Sequence, residues 1–316
     1  MDSPQQPRPA AKSASRVLRV ALGASAVLIA GLTLVANARD DADPADEADP
    51  ANEAAKPAHP GVSKGYQQLK DGDLRAAMRS FQSALSDDPD DLPAMLGRAM
   101  IHADQRHYEA AFDSYDAVVR EFPKHAFAWN GRGLAAFNLR DFDAALQSFQ
   151  KATDDEPGEG FFHESLAWTH MCRGEFRKAA QSAKTASLMY DRSGEPSLYP
   201  LLIAYFANVE AGDEAKARRA LQYAEANRNE NQWPGPVIDY LRGKIGEAEL
   251  ISHVTSIAEE TEAHTYIGLH LRNTPDSDDA AQRHLDWVRR SGDPGVFEYT
   301  LARSIDLPDR VAVRAP

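Results

Sequence analysis

The chain of 316 residues contains a single cysteine, Cys172. One thiol cannot close a disulfide within the chain, and it cannot build a cysteine zinc site. Positive charge is also in short supply. Lys and Arg number 35 against 48 Asp and Glu, a formal net charge of -13. Nucleic-acid phosphates require basic patches, so this balance excludes nucleic acid as a partner. No G-x-S-x-G elbow, no Walker loop and no H-E-x-x-H pair occurs, so the familiar signatures of serine hydrolases, nucleotide-binding loops and zinc peptidases are missing. What is present is apolar content of 43%, enough for a folded core, and abundant Ala, which favours helix over sheet.

One long uncharged run stands near the start. Arg8, Lys12, Arg16 and Arg19 precede it, and residues 20–38 carry no charge. The run closes on Ala36-Asn37-Ala38. A basic region, an apolar region and a small-x-small end describe a secretory signal peptide cut after Ala38. The same run, as a helix, spans about 28 Å and so also suits an uncleaved membrane anchor. Either reading of residues 1–38 places the remainder outside the cytoplasm, periplasmic or secreted if cut and held at the cytoplasmic membrane if not. Residues 39–57 mix Ala and Pro with Asp40, Asp41, Asp43, Asp46, Glu47, Asp49 and Glu53. That segment reads as a self-repelling, disordered linker.

From residue 58 a period of 34 governs the chain. Pro89, Pro123 and Pro157 share one column, and Ala77, Ala111, Ala145 and Ala179 share another. Phe81, Tyr115 and Phe149 form a ring column, and Gly65, Ala99, Gly133 and Ala167 a small-residue column. Each unit reads as two helices. A small residue on the first is expected to face a small one on the second, with the ring filling the space beside them. Pro ends the second helix because it cannot extend the hydrogen-bond ladder. Four units, 58–191, keep register. A fifth follows a four-residue insertion and keeps Gly212, Ala217, Leu221 and Ala224. Divergent units then run to 305, with a pair keeping Gly268, Ala280 and Trp287. An amphipathic helix near Val296–Ile305 is expected to cap the stack, and 306–316 to form a flexible tail.

These columns, clearest in Trp129-Asn-Gly-Arg-Gly133 through Phe142, Ala145, Phe149 and Pro157, resemble the tetratricopeptide repeat (TPR). The resemblance implies an all-α, right-handed superhelical solenoid of stacked antiparallel hairpins. Segments Trp233-Pro-Gly-Pro, Glu262-Ala-His-Thr-Tyr-Ile-Gly268 and Phe297-Glu-Tyr-Thr-Leu-Ala302 are similar to the C-terminal third of bacterial envelope TPR lipoprotein-type adaptors. The lipid-acceptor cysteine of those proteins is missing here.

In the TPR family the first helix of each unit lines a concave groove. Carried onto this chain, the groove positions are Tyr66, Met100, Phe127, Asn130, Leu134, Phe137, Phe161, Glu164, Trp168, Met171 and Phe206. The wall is apolar and aromatic, and it lacks the Lys and Arg of the family's clamp for C-terminal carboxylates. The resulting expectation is a non-catalytic adaptor of the cell envelope that binds a protein or peptide partner, with no cofactor and with membrane contact only through the N-terminal segment. A homo-oligomer that buries the stripe against a second copy, and an enzyme with an unrecognised site, are the alternatives. His163 and His170 lie about 10 Å apart along one helix face, too far for direct ligation of a shared zinc. Cys172 reads as a buried structural thiol.

Overall fold

A computed structural model describes residues 59–194, 196–229 and 232–305. The expected export segment, linker and tail lie outside these residues. Among the described residues there are fifteen helices and no strand, and no helix is long and apolar enough to cross a membrane.

The repeat columns become hairpins. The first four pair α1 (Pro60–Lys70) with α2 (Leu74–Asp87), α3 (Leu92–Asp104) with α4 (Tyr108–Glu121), α5 (Ala126–Asn138) with α6 (Phe142–Asp155), and α7 (Gly160–Cys172) with α8 (Phe176–Ser193). The fifth pairs α9 (Tyr199–Glu210) with α10 (Glu214–Asn227). Helix starts are set by side chains that accept orphan backbone N–H groups. Asp73, Asp91 and Asp141 accept from Ala76, Ala94 and Ala144 at 2.9–3.0 Å, and His125 Nδ1 accepts from Ala128 at 3.1 Å. Helices α2, α4 and α6 each end two residues before the column proline.

The turn inside each hairpin repeats with the same period. Gly72, Arg106, Arg140 and Gly174 have φ between 58° and 78°. This left-handed residue lets the next amide reach back to close the helix end, as His107 N–H does to His102 O at 2.9 Å. Arg106 and Arg140 hold the conformation despite their Cβ atoms, so the turn dictates the backbone there more than the residue does.

The ring column is the spacer between hairpins. Phe81, Tyr115 and Phe149 are fully buried. A Cβ placed on Gly65 would come within 2.7 Å of the Phe81 ring, and one on Gly133 within 2.6 Å of Phe149. The small residue therefore faces the ring itself, where the sequence pattern suggested a small-on-small contact with the ring alongside. A second glycine column presses from the next hairpin. A Cβ on Gly97 would lie 2.3 Å from Phe81, and one on Gly131 2.4 Å from Tyr115. Phe81 thus sits between the backbones of successive units, Tyr115 and Phe149 each have a glycine backbone on one side, and the missing Cβ atoms set how closely the helices approach there.

The C-terminal third departs from this plan. Helices α11 (Gly235–Leu241) and α12 (Glu247–Ser252) are short, and the final hairpin is α13 (Ile257–Arg272) with α14 (Asp278–Ser291). Its packing partner for Gly268 is Leu285, at 2.7 Å from the ideal Cβ, and Ala281 is the buried alanine. The buried alanine is thus one position on from Ala280, and Trp287 stacks on His264 of α13 at 4.2 Å. The last helix, α15 (Phe297–Ser304), forms where the sequence suggested, but it does more than cap an end. It packs on α7 as well as on α13 and α14. Just before it, Asp293 pairs with Arg106 of the second hairpin's turn at 2.8 Å. The chain therefore closes back on its own inner wall.

Candidate functional site

The inner wall is built by the first helices of the hairpins. Their 34-residue spacing stacks Leu134, Phe137, Phe161, Trp168 and Met171 on α5 and α7, because residues three and four apart share one helix face. All but Leu134 and Phe161, which are half-buried, are buried. The cover is the chain's own C-terminal region. The ring of Phe297 stacks on Trp168 with centroids 5.9 Å apart and planes at 7°. It meets Phe137 edge-on at 5.0 Å and Phe161 at 6.4 Å. One helix further on, Phe206 of α9 stacks on Tyr266 of α13 at 5.6 Å.

The remaining expected groove residues serve other contacts. Tyr66 packs edge-on against Phe81 at 5.0 Å and donates its hydroxyl to Pro93 O at 2.9 Å. Met100, Phe127 and Asn130 are buried. At Phe137, Phe161, Trp168 and Phe206 the expected open aromatic stripe is therefore covered by the chain's own C-terminal region. The inward rings attract the nearest apolar helix, and the final helix is tethered close by. Glu164 is buried and accepts the Tyr190 hydroxyl at 2.9 Å.

A polar cluster lies beside the Phe297 contact. Glu164, Glu262 and Glu298 line one small cavity with Trp168, Tyr199, Val296 and Phe297, of about 20 Å³, room for about one water. Glu262 Oε2 accepts from Trp233 Nε1 at 2.7 Å and from the Tyr199 hydroxyl at 3.0 Å. Glu298 accepts from the Tyr266 hydroxyl at 2.5 Å. Burial, reinforced by the neighbouring charge of Glu298, raises the Glu262 carboxyl well above its ordinary range. Burial likewise raises the Tyr266 hydroxyl. The sequence contains these residues in two notable segments, but nothing in their spacing pairs position 262 with 298 or aims either at α7.

The histidines and the cysteine have local roles. His163 Nε2 bonds to Pro157 O at 3.0 Å, and His170 Nδ1 to Glu175 at 2.7 Å. Among the described residues no group of three His, Cys, Asp or Glu side chains is placed to hold a metal ion. Desolvation raises the Cys172 thiol to about 12, so it is held as the inert thiol form. Outside the wall, His264 and His284 share an Nδ1···Nδ1 hydrogen bond of 2.8 Å, with Trp287 stacked on His264 at 4.2 Å.

The tetratricopeptide repeat profile matches residues 62–126 and 102–160. No curated protein matches the sequence. Among solved structures, YrrB, described as a TPR protein with an unusual peptide-binding site, is 15% identical; the match covers 60% of this chain and 92% of YrrB with a TM-score of 0.50. MamA of Desulfovibrio magneticus RS-1 is 15% identical over 53% of this chain and 94% of its own, with a TM-score of 0.48. A thermophilic TPR protein of Thermus thermophilus, TTC0263, is 19% identical over 52% of this chain and 89% of its own, with a TM-score of 0.40.

Proposed function

Because residues 62–160 make this chain a tetratricopeptide-repeat protein, we propose that it is a non-catalytic adaptor of the cell envelope, one that holds a protein or peptide partner against the aromatic inner wall of α5 and α7. The observation that carries this reading is the docking of α15. A short helix with an aromatic first residue is seated on Phe137, Phe161 and Trp168, so the wall is shaped to accept a helix. Such rings offer large contact area at small entropic cost. Peptide binding is also the use ascribed to YrrB. Export rests on the basic start and the uncharged run 20–38, which puts the solenoid outside the cytoplasm.

The test is recovery of partners from envelope extracts on the tagged full-length chain. Trp168 is a poor choice for substitution, since it is the seat of Phe297. Phe161→Ala and Leu134→Ala alter half-buried positions and leave the Trp168 stack in place. Recovery of the partner falls at least fivefold in both, with unchanged helical circular dichroism. Undiminished recovery in both removes the wall from the binding site. N-terminal sequencing of the mature protein reads a start at Arg39 if the segment is cut, and Met1 or Asp2 if it anchors.

A further inference from the structure

Helix α15 is an unusual cover. It has eight residues, fewer than an isolated helix needs to persist in water. Its seat is made by other elements: Phe297 meets the α5 and α7 rings, Glu298 meets Tyr266 of α13, and the carbonyls of Ala302 and of Ile305, just past its end, accept from Arg289 of α14. The α13–α14 hairpin beneath it has its own packing, through Gly268 against Leu285. Removing α15 therefore uncovers the wall without dismantling a hairpin.

We propose that the wall of Phe137, Phe161 and Trp168 recognises a short helical peptide with an aromatic residue, an acid or amide immediately after it, and leucine four residues beyond the ring, and that α15, through Phe297, Glu298 and Leu301, is the chain's own competitor for that seat. The proposal rests on the partner-binding reading above and names the ligand's chemistry. The seat supplies a ring stack at Trp168, a hydroxyl donor at Tyr266 for the acid or amide, and an apolar floor for leucine, which is 2% exposed in α15. Residues 292–296 tether α15 to α14, and so short a link gives an effective concentration on the order of millimolar. A free ligand must outcompete this tethered segment.

The experiment uses the full-length chain and a fluorescein-labelled synthetic peptide spanning residues 293–305. Measured by anisotropy, the peptide binds Phe297→Ala at least tenfold tighter than the unsubstituted chain, and adding Phe161→Ala abolishes that gain. Equal binding to both chains, or binding to neither, overturns the proposal. Two further readouts remain valid if Phe297→Ala folds poorly. In the unsubstituted chain, native-state hydrogen exchange of the α15 amides is at least tenfold faster than that of 265–269 in α13; equal protection makes α15 permanent core and overturns the proposal. The single thiol, Cys172, lies at the end of α7 against the apolar cluster that includes Phe297 and Leu301 of α15. Saturating a chain with unlabelled peptide that displaces α15 raises thiol labelling at least fivefold, and no change counts against displacement. Partner loss in Phe161→Ala alongside a fully protected α15 leaves the adaptor reading standing and this one refuted.

Discussion

Gly97→Ala isolates the contact that sets the spacing of the first two hairpins. The new Cβ would lie 2.3, 2.5 and 2.6 Å from three atoms of the Phe81 ring. Carbon atoms pack at about 3.5–4.0 Å, so ring or backbone must yield by about an ångström. The ring has nowhere to go. It is fully buried, and on its far side Gly65 already stands so close that a Cβ there would reach within 2.7 Å. Overpacking costs about 1–3 kcal/mol, and with the ring held on both sides the upper part of that range, about 2–3 kcal/mol, applies here; the gain from replacing a helical glycine by alanine, about 1 kcal/mol, offsets part of it. The net expectation is a loss of about 1–2 kcal/mol, or about 2–8 °C in Tm for a folded region of this size. Urea unfolding followed by circular dichroism measures it. The deciding comparison is a double-mutant cycle with Phe81→Leu, which removes the clashing atoms. In that background Gly97→Ala becomes neutral or stabilising, by up to about 1 kcal/mol. If Gly97→Ala is as stable as the unsubstituted chain, or costs the same in both backgrounds, the interlocked ring does not set the stacking distance.

Other outcomes follow from the buried polar groups. Glu262 faces Tyr199 of α9, Trp233, Glu164 of α7, Glu298 of α15, and Glu259 and Tyr266 of its own helix. Its raised carboxyl binds a proton more tightly folded than unfolded, so stability is present below the ordinary glutamate range and is lost as pH rises toward the folded value. Glu262→Gln removes that loss, and its Tm advantage over the unsubstituted chain grows with pH; a constant difference from pH 4 to 8 refutes the shift. Burial and His284 lower His264 to about 4, so here the unfolded chain binds the proton first. This contribution is present above about pH 6.5 and lost as pH falls toward 4, and an NMR titration that finds His264 protonated at pH 6 contradicts the buried pair. Tyr266→Phe removes the hydroxyl that Glu298 accepts at 2.5 Å and destabilises by about 1.5–3 kcal/mol, read by urea unfolding; a neutral result means that bond contributes nothing net.

The 34-residue columns determined the fold on their own. Proline stops and recurring small and large residues are local instructions, so Pro89, Pro123 and Pro157 and the helices between them could be placed from spacing alone, whereas the left-handed backbone of Arg106 and Arg140 is imposed by the turn. The pairing of Phe81 with Gly97 was present in the letters but needed the stacking of one hairpin on the next to give it meaning. The site was only half visible. Periodicity aligns Phe137 and Trp168 on one wall because they share a column system, whereas Phe297 lies 129 residues from Trp168 by its number and belongs to no column. Only the curvature accumulated over many hairpins brings α15 back to α5 and α7 and sets Glu298 and Glu262 on the same small cavity as Glu164. Small rotations at each interface sum to that meeting, and no residue encodes the sum.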